Sequence, residues 1–143
     1  MRDFKRIFID TSPIVYFLDG ESVFHELTKK IFDDIFQCNC EILTSVVTCA
    51  EYLVVPYRDN NKTNINSFWQ FIHQCDVNIC HIDVKIAEKA AKIRADYRHF
   101  KAFDSMQIAA ACVNGCDVFL TNDKQLRQYE EIKCITIKDW IVE

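Results

Sequence analysis

The stretch Arg6-Ile7-Phe8-Ile9-Asp10-Thr11-Ser12-Pro13-Ile14 decides how the rest of the chain is read. Arg6 to Asp10 has the form of a short strand buried on both faces, because nothing polar interrupts Ile7-Phe8-Ile9. Ser12 followed by Pro13 then reads as an N-cap with proline at the first helical position, opening a helix from Ile14 to Leu18. A strand that runs straight into a helix is the first unit of an α/β chain. The junction is also notable for what it lacks. The sequence has only two glycines, Gly20 and Gly115, and neither follows the first strand. A phosphate-cradling P-loop or a dinucleotide fingerprint needs glycines clustered there, so the ATPase, GTPase and NAD-enzyme classes are disfavoured.

Outward from this unit the pattern keeps alternating. Phe24, Leu27, Ile31 and Ile35 place one apolar face on a helix over Phe24 to Phe36. Glu41 to Thr44 reads as a strand, Val46 to Val55 as a helix stopped near Pro56, and Arg58 to Asn66 as a polar loop. Ser67 to Gln74 reads as helical, with Phe68, Trp69 and Phe71 on an aromatic face, and Val77 to Ile82 as a third strand. Helices follow over Val84 to Arg98 and Ser105 to Val113, the second closed by Gly115. Val118 to Leu120 and Cys134 to Ile137 read as strands, with a short helix over Lys124 to Tyr129 between them. The expected fold is a three-layer α/β/α sandwich around a mostly parallel sheet of four or five strands. At 143 residues, half of them apolar, the whole chain 1–143 is expected to be one domain with one core.

No run approaches the ~18 apolar residues of a membrane span, and the charged start at Met1 to Arg6 does not resemble a signal peptide. A cytoplasmic location with no membrane partner is expected. The eight cysteines include no Cys-x-x-Cys pair, so they read as small apolar side chains in a reducing compartment rather than as a zinc or disulfide framework. Cys112 and Cys116 look like neighbours on one helix face. The net charge of −4 gives no global signature of a nucleic-acid binder, although a local basic face and a metal could still serve one.

Four acids are set against apolar runs: Asp10, Glu51, Asp104 and Asp123. Asp10 ends a strand, where ligands of parallel sheets bind, and Ser12 leaves it without capping duty. Glu51 is the sole charge between Val46 and Val55, which also suits an exposed residue on a mostly buried helix. Asp104 with Gln107 forms a capping-box pattern, and Asp123 could cap the helix from Lys124. Each therefore has a structural explanation by itself. Convergence would change that, since two like charges ~4 Å apart repel by about 4 kcal/mol at an effective dielectric near 20. Converging carboxylates persist when some protonate or a cation sits among them, and hard oxygen donors suit Mg²⁺ or Mn²⁺.

The order and surroundings of these acids resemble a PIN domain. The resemblance is carried by Ile7-Phe8-Ile9-Asp10-Thr11-Ser12, Thr48-Cys49-Ala50-Glu51, Phe103-Asp104-Ser105-Met106-Gln107-Ile108-Ala109-Ala110-Ala111 and Leu120-Thr121-Asn122-Asp123. The chain is particularly similar to single-domain PIN proteins of the VapC toxin type. That likeness implies a Mg²⁺- or Mn²⁺-dependent endoribonuclease, a cognate antitoxin and a homodimer. It also implies metal-holding and catalytic roles for Asp10, Glu51, Asp104 and Asp123. One departure is visible, in that Lys124-Gln125-Leu126 stands where the commonest toxin pattern has a further acid and Phe.

Thr11, Thr121 and Asn122 flank the acids and are expected to orient them. The stretch from Lys89 to Lys101 offers Arg94, Arg98 and Lys101 to an RNA backbone, with Tyr97, Phe100 and Phe103 interleaved; a solvated helix face is the alternative. None of His25, His73, His81 and His99 lies in a motif, so histidine chemistry is not expected. The competing functional class is an inert PIN-fold binding module acting through an antitoxin-like or homodimer partner. A haloacid-dehalogenase-like phosphatase would need an Asp where Ser12 stands, and a receiver domain would need an acid paired with Asp10.

Overall fold

A computed structural model describes residues 3–140. Its strands are β1 (Arg6–Ile9), β2 (Glu41–Ser45), β3 (Val77–Cys80), β4 (Val118–Thr121) and β5 (Lys133–Thr136). They form one sheet in the order β3-β2-β1-β4-β5, and every neighbouring pair is parallel. The helices are α1 (Thr11–Leu18), α2 (His25–Gln37), α3 (Val46–Tyr52), α4 (Val54–Arg58), α5 (Lys62–Gln74), α6 (Val84–Asp96), α7 (Ala102–Val113) and α8 (Ile137–Trp140).

Alternation along the strands sorts the core into two layers. Ile7, Ile9, Ile42, Leu120 and Ile135 pack with Ile14 of α1, Ile31 and Phe32 of α2, Phe68 and Ile72 of α5 and Trp140 of α8. Phe8, Leu43 and Phe119 point the other way, against Ile86, Ala90 and Ile93 of α6 and the buried run Ile108 to Ala111 of α7. The expected α/β/α sandwich with a parallel, five-stranded sheet is what the chain adopts. All eight cysteines are free thiols. Burial pushes Cys116 and Cys134 up to about 12, which suits their role as small apolar side chains. Among the described residues no helix is long and apolar enough to cross a membrane.

The departures from expectation lie at element ends, and each has a local cause. Asp10, not Ser12, caps α1: its carboxylate accepts from the Thr11 N–H, and the helix starts before Pro13. Pro13 costs nothing there, because the first-turn N–H groups lack intrahelical partners in any case. The helix expected over Val46 to Val55 is divided at Leu53, the C-cap of α3 and the N-cap of α4. Pro56 forces this, because inside one continuous helix its ring would clash with the carbonyl a turn earlier; as the third residue of α4 it does not.

Most of the expected polar loop is helical: Arg58 ends α4, and Lys62 to Asn66 belong to α5, which the Asn61 side chain caps at the Asn64 N–H. The third strand is shorter than expected and Asp83 caps α6 at the Ile86 N–H. The segment Lys124–Gln128 is a 3-10 helix, and Ile137 opens α8 rather than ending a strand. Cys116 lies beyond the end of α7 and shares no helix face with Cys112. Gly115 does close α7: its φ of 71° is the left-handed conformation that glycine adopts without strain.

Candidate active site

Chain order against sheet order locates the site. The chain leaves β1 for β2 and β3 on one side, then returns to β4 and β5 on the other. The C-terminal ends of β1 and β4 therefore flank the topological switch point, where open parallel sheets bind ligands. Register sets the residues at that point. Ile9 pairs with Leu120, so Asp10 emerges level with Thr121, and the Asp10 N–H donates to the Leu120 carbonyl at 2.9 Å.

Asp10 is only 6% exposed. Its Oδ1 accepts from the Thr11 N–H at 2.9 Å and its Oδ2 from Thr121 Oγ1 at 2.8 Å. These bonds favour the ionised form, yet desolvation dominates and raises Asp10 from 3.8 to about 6, with the negative charges of Asp104 and Glu51 adding to it. Asp104 lies in the first turn of α7, where the helix N-terminus favours a carboxylate. Its pKa too is raised, first by burial, then by Asp123 and Glu51, with Lys101 opposing. Mutual repulsion thus links Asp10, Glu51, Asp104 and Asp123 in one acidic group, although the last three lie 41, 94 and 113 residues beyond Asp10 in the chain.

The capping box expected of Asp104 and Gln107 does not form. The helix α7 begins two residues earlier, at Ala102, and its N-cap Lys101 makes no side-chain cap. Asp104 is left free to face the other acids, and Gln107 is fully buried beneath them. Asp123 does cap the 3-10 helix through the Gln125 N–H at 3.0 Å, while its own N–H donates to Thr121 Oγ1 at 3.1 Å. Glu51 is exposed on α3, and Thr11 Oγ1 donates to its Oε1 at 2.7 Å. The group is gathered but open: among the described residues, no three carboxylate, imidazole or thiol side chains stand close enough to hold an ion as they are.

The flanking residues divide. Thr11 and Thr121 reach the acids, whereas Asn122 turns away and donates to the Tyr16 hydroxyl at 3.1 Å. Of the basic residues, Lys101 lies near enough to act on Asp104; Arg94 and Arg98 are exposed and form no ion pair with a described residue. A buried polar cluster under the acids escaped the sequence reading. It comprises Thr44, Ser45, Thr48 and Gln107, each 0% exposed. Its signal was present in the spacing Ser45, Thr48, Glu51, one polar stripe on an otherwise apolar helix, and in Gln107 heading an apolar run.

Carboxylate oxygens are the hard donors that cations such as Mg²⁺ or Mn²⁺ take, and the pKa values of Asp10 and Asp104 are both raised here, with Lys101 opposing the shift at Asp104. The sequence matches the PIN domain family over residues 7–132. The chain belongs to the PIN domain family. No curated protein sequence matches it. Among solved structures, this PIN domain is similar to VapBC2 from Rickettsia felis, solved with a DNA fragment from its promoter. The TM-score is 0.76 at 13% identity, over 92% of this chain and 98% of that one. It is also similar to FitAcB from Neisseria gonorrhoeae, with a TM-score of 0.72 at 19% identity over 92% and 98% of the two chains. VapC20 of Mycobacterium tuberculosis, a toxin that cleaves the sarcin-ricin loop, gives 0.69 at 18% identity over 89% and 98%. At these identities the likeness is one of fold.

Proposed function

We propose that this PIN domain is a metal-dependent endoribonuclease, the toxin of a toxin–antitoxin pair, acting in the cytoplasm as a single domain. The observation that carries the reading is the place of Asp10, a carboxylate 6% exposed at the switch point, with Asp104 and Glu51 near enough to raise its pKa and no basic side chain among the described residues offsetting them there. Such an arrangement lowers folded-state stability and is retained where a bound cation offsets it. Asp10, Asp104 and Asp123 would hold Mg²⁺ or Mn²⁺, directly or through water, with Glu51 a further ligand or the group that orients the attacking water. A bound divalent ion supplies Lewis acidity toward the scissile phosphate and lowers the pKa of water.

The chain's own side chains set the stage for that chemistry. Thr121 occupies one lone pair of Asp10 Oδ2 and Thr11 one of Glu51 Oε1, so each carboxylate is turned in a defined direction. Lys101, beside Asp104, offers a phosphate the nearest positive charge, and exposed Arg94 and Arg98 extend that face along the RNA. Arg94→Ala is expected to weaken RNA binding and reduce its salt slope by ~0.7, the value for one phosphate contact on a single strand. An unchanged slope removes Arg94 from the interface.

A second reading draws on a different surface. Val54, Val55 and Tyr57 of α4 are about half exposed beside Val46, Cys49 and Leu53, an apolar patch suited to an antitoxin or a second copy of the chain. An inert PIN-fold module would use that patch alone. Cleavage of labelled RNA with Mn²⁺, wild type against Asp10→Asn, separates the two. Activity lost in the variant supports the nuclease, and no cleavage by either protein under any metal supports the inert module.

A further inference from the structure

Gln107 occupies a position that neither helix capping nor core packing explains. It is 0% exposed, on the face of α7 that looks under the acids, and its amide is bonded at both ends. Ser45 Oγ already accepts from the Val47 N–H as the cap of α3, at 3.1 Å, and donates its own proton to Gln107 Oε1. This sets the amide's orientation. The opposite end, Nε2, then faces Thr48 Oγ1 at 2.8 Å, Asp10 Oδ1 at 3.4 Å and Thr11 Oγ1 at 3.5 Å. A flipped amide would place its carbonyl against the Asp10 carboxylate and leave the Ser45 proton without an acceptor.

The remaining hydroxyl protons can be assigned one by one. Thr44 Oγ1 lies 2.8 Å from the Ile9 carbonyl and 2.8 Å from Thr48 Oγ1; the carbonyl can only accept, so it takes the Thr44 proton. Thr11 gives its proton to Glu51 and Thr121 gives its own to Asp10. Thr48 is left to donate to the Thr11 oxygen at 3.0 Å, which has a free lone pair because Thr11 gives its own proton to Glu51. Every proton has one acceptor, and the two N–H bonds of Gln107 complete the set. In this network Gln107 reaches both Asp10, just past the end of β1, and Thr48 of the helix bearing Glu51, beside the direct bonds of Thr11 to Thr48 and Glu51.

We propose that Gln107 is a positioning residue, holding Asp10 and the Glu51 helix at a preset separation so that a divalent cation meets both acids already oriented. The inference rests on the metal-dependent reading above. Gln107 does not touch RNA; it acts through Asp10, Thr11 and Thr48.

The test is Mn²⁺ titration calorimetry on the full chain, with thermal unfolding in EDTA beside it. Gln107→Met keeps length and volume but removes both ends of the amide. Its Mn²⁺ affinity is expected to fall about 10- to 100-fold, the usual cost of losing a group that orients a ligand. Thr28→Val, which removes a buried hydroxyl of α2 outside this cluster, is expected to lower the metal-free melting point while leaving Mn²⁺ affinity at the wild-type value. If Gln107→Met does not fold, Gln107→Asn carries the same comparison, since it keeps an amide in the core but withdraws it by one methylene. In cleavage assays, kcat should fall in either Gln107 variant with KM for RNA unchanged. Wild-type Mn²⁺ affinity in the Gln107 variants overturns the positioning role and leaves the nuclease reading standing. Failure of the wild type itself to bind Mn²⁺ overturns both.

Discussion

Asp10 and Asp117 stand at opposite ends of the same two strands, and the chain treats them differently. Asp117 lies at the N-terminal end, just before β4, and is exposed. Its Oδ2 accepts from the Lys5 N–H at 2.7 Å and the Arg6 N–H at 3.0 Å, clipping the start of β1 to the start of β4. Asp10 lies at the C-terminal end, buried, where the charges of Asp104 and Glu51 bear on it. One carboxylate is surrounded by backbone donors that have no other use. The other keeps company that raises its energy. The contrast teaches that an acid's role is read from what faces it, not from its residue type or its place beside a strand.

The largest effect is expected at Asp10. Asp10→Asn should reduce Mn²⁺-dependent cleavage at least about a thousandfold, ~4 kcal/mol of barrier, in single-turnover assays. Asp117→Asn should leave the rate unchanged. Equal losses from both would erase the contrast.

The next effect is on stability and runs opposite to ordinary acid denaturation. Asp10 titrates near 3.8 when unfolded and at about 6 when folded. The folded state therefore holds its proton more tightly. The stability this contributes is complete below pH 3.8 and is lost as pH rises through about 6. A shift of this size corresponds to about 3 kcal/mol. Asp104 is shifted in the same direction. Urea unfolding in EDTA should show Asp10→Asn gaining on the wild type as pH rises from about 4 to 7, with Mn²⁺ closing the gap. A difference between the two proteins that does not vary with pH would mean that Asp10 is not held at a desolvation cost.

How much of this was legible beforehand follows from the same contrast. Apolar runs such as Ile7-Phe8-Ile9 and Val118-Phe119-Leu120 announce buried parallel strands, because no solvent-facing alternative suits them. The acids stood out because each breaks or ends such a run. The breaks in helices were harder to see. Pro56 marks a disruption, but whether the chain stops there or restarts three residues upstream depends on tertiary packing of α4. Gln107 was misread for a related reason: three residues after Asp104, it satisfies a local capping pattern, and only the fold brings Ser45, Thr48 and Asp10 around it. Adjacency of Asn122 to Asp123 in sequence does not set the direction of its side chain, whose amide donates to the Tyr16 hydroxyl.

A smaller effect is expected at Asp117. Asp117→Ala removes two backbone acceptor bonds at an exposed site, a loss of ~1 kcal/mol or somewhat more. The Mn²⁺-induced rise in melting point should stay at the wild-type value, since this carboxylate lies at the far end of the sheet from the acid group. A reduced Mn²⁺ shift in Asp117→Ala would show that strand register at one end governs metal binding at the other.

The smallest expected change is a gain. Ser105 adjoins Asp104, and its hydroxyl is fully buried with no hydrogen-bond partner among the described residues. The hydroxyls of Thr11, Ser45, Thr48 and Thr121 are all bonded within the acid network, so a hydroxyl one residue from an acid is not by that fact part of the site. An unmet buried hydroxyl costs about 1 kcal/mol or more, and alanine is the better helix former by a few tenths. Ser105→Ala should therefore raise stability by ~1 kcal/mol in urea unfolding, with Mn²⁺ affinity and cleavage unchanged. Thr121→Val, which removes the donor to Asp10 Oδ2, should lower Mn²⁺ affinity. If Ser105→Ala instead lost both stability and metal affinity, the Ser105 hydroxyl would have to be counted with the acid network, and the line drawn here between the two kinds of buried hydroxyl would fail.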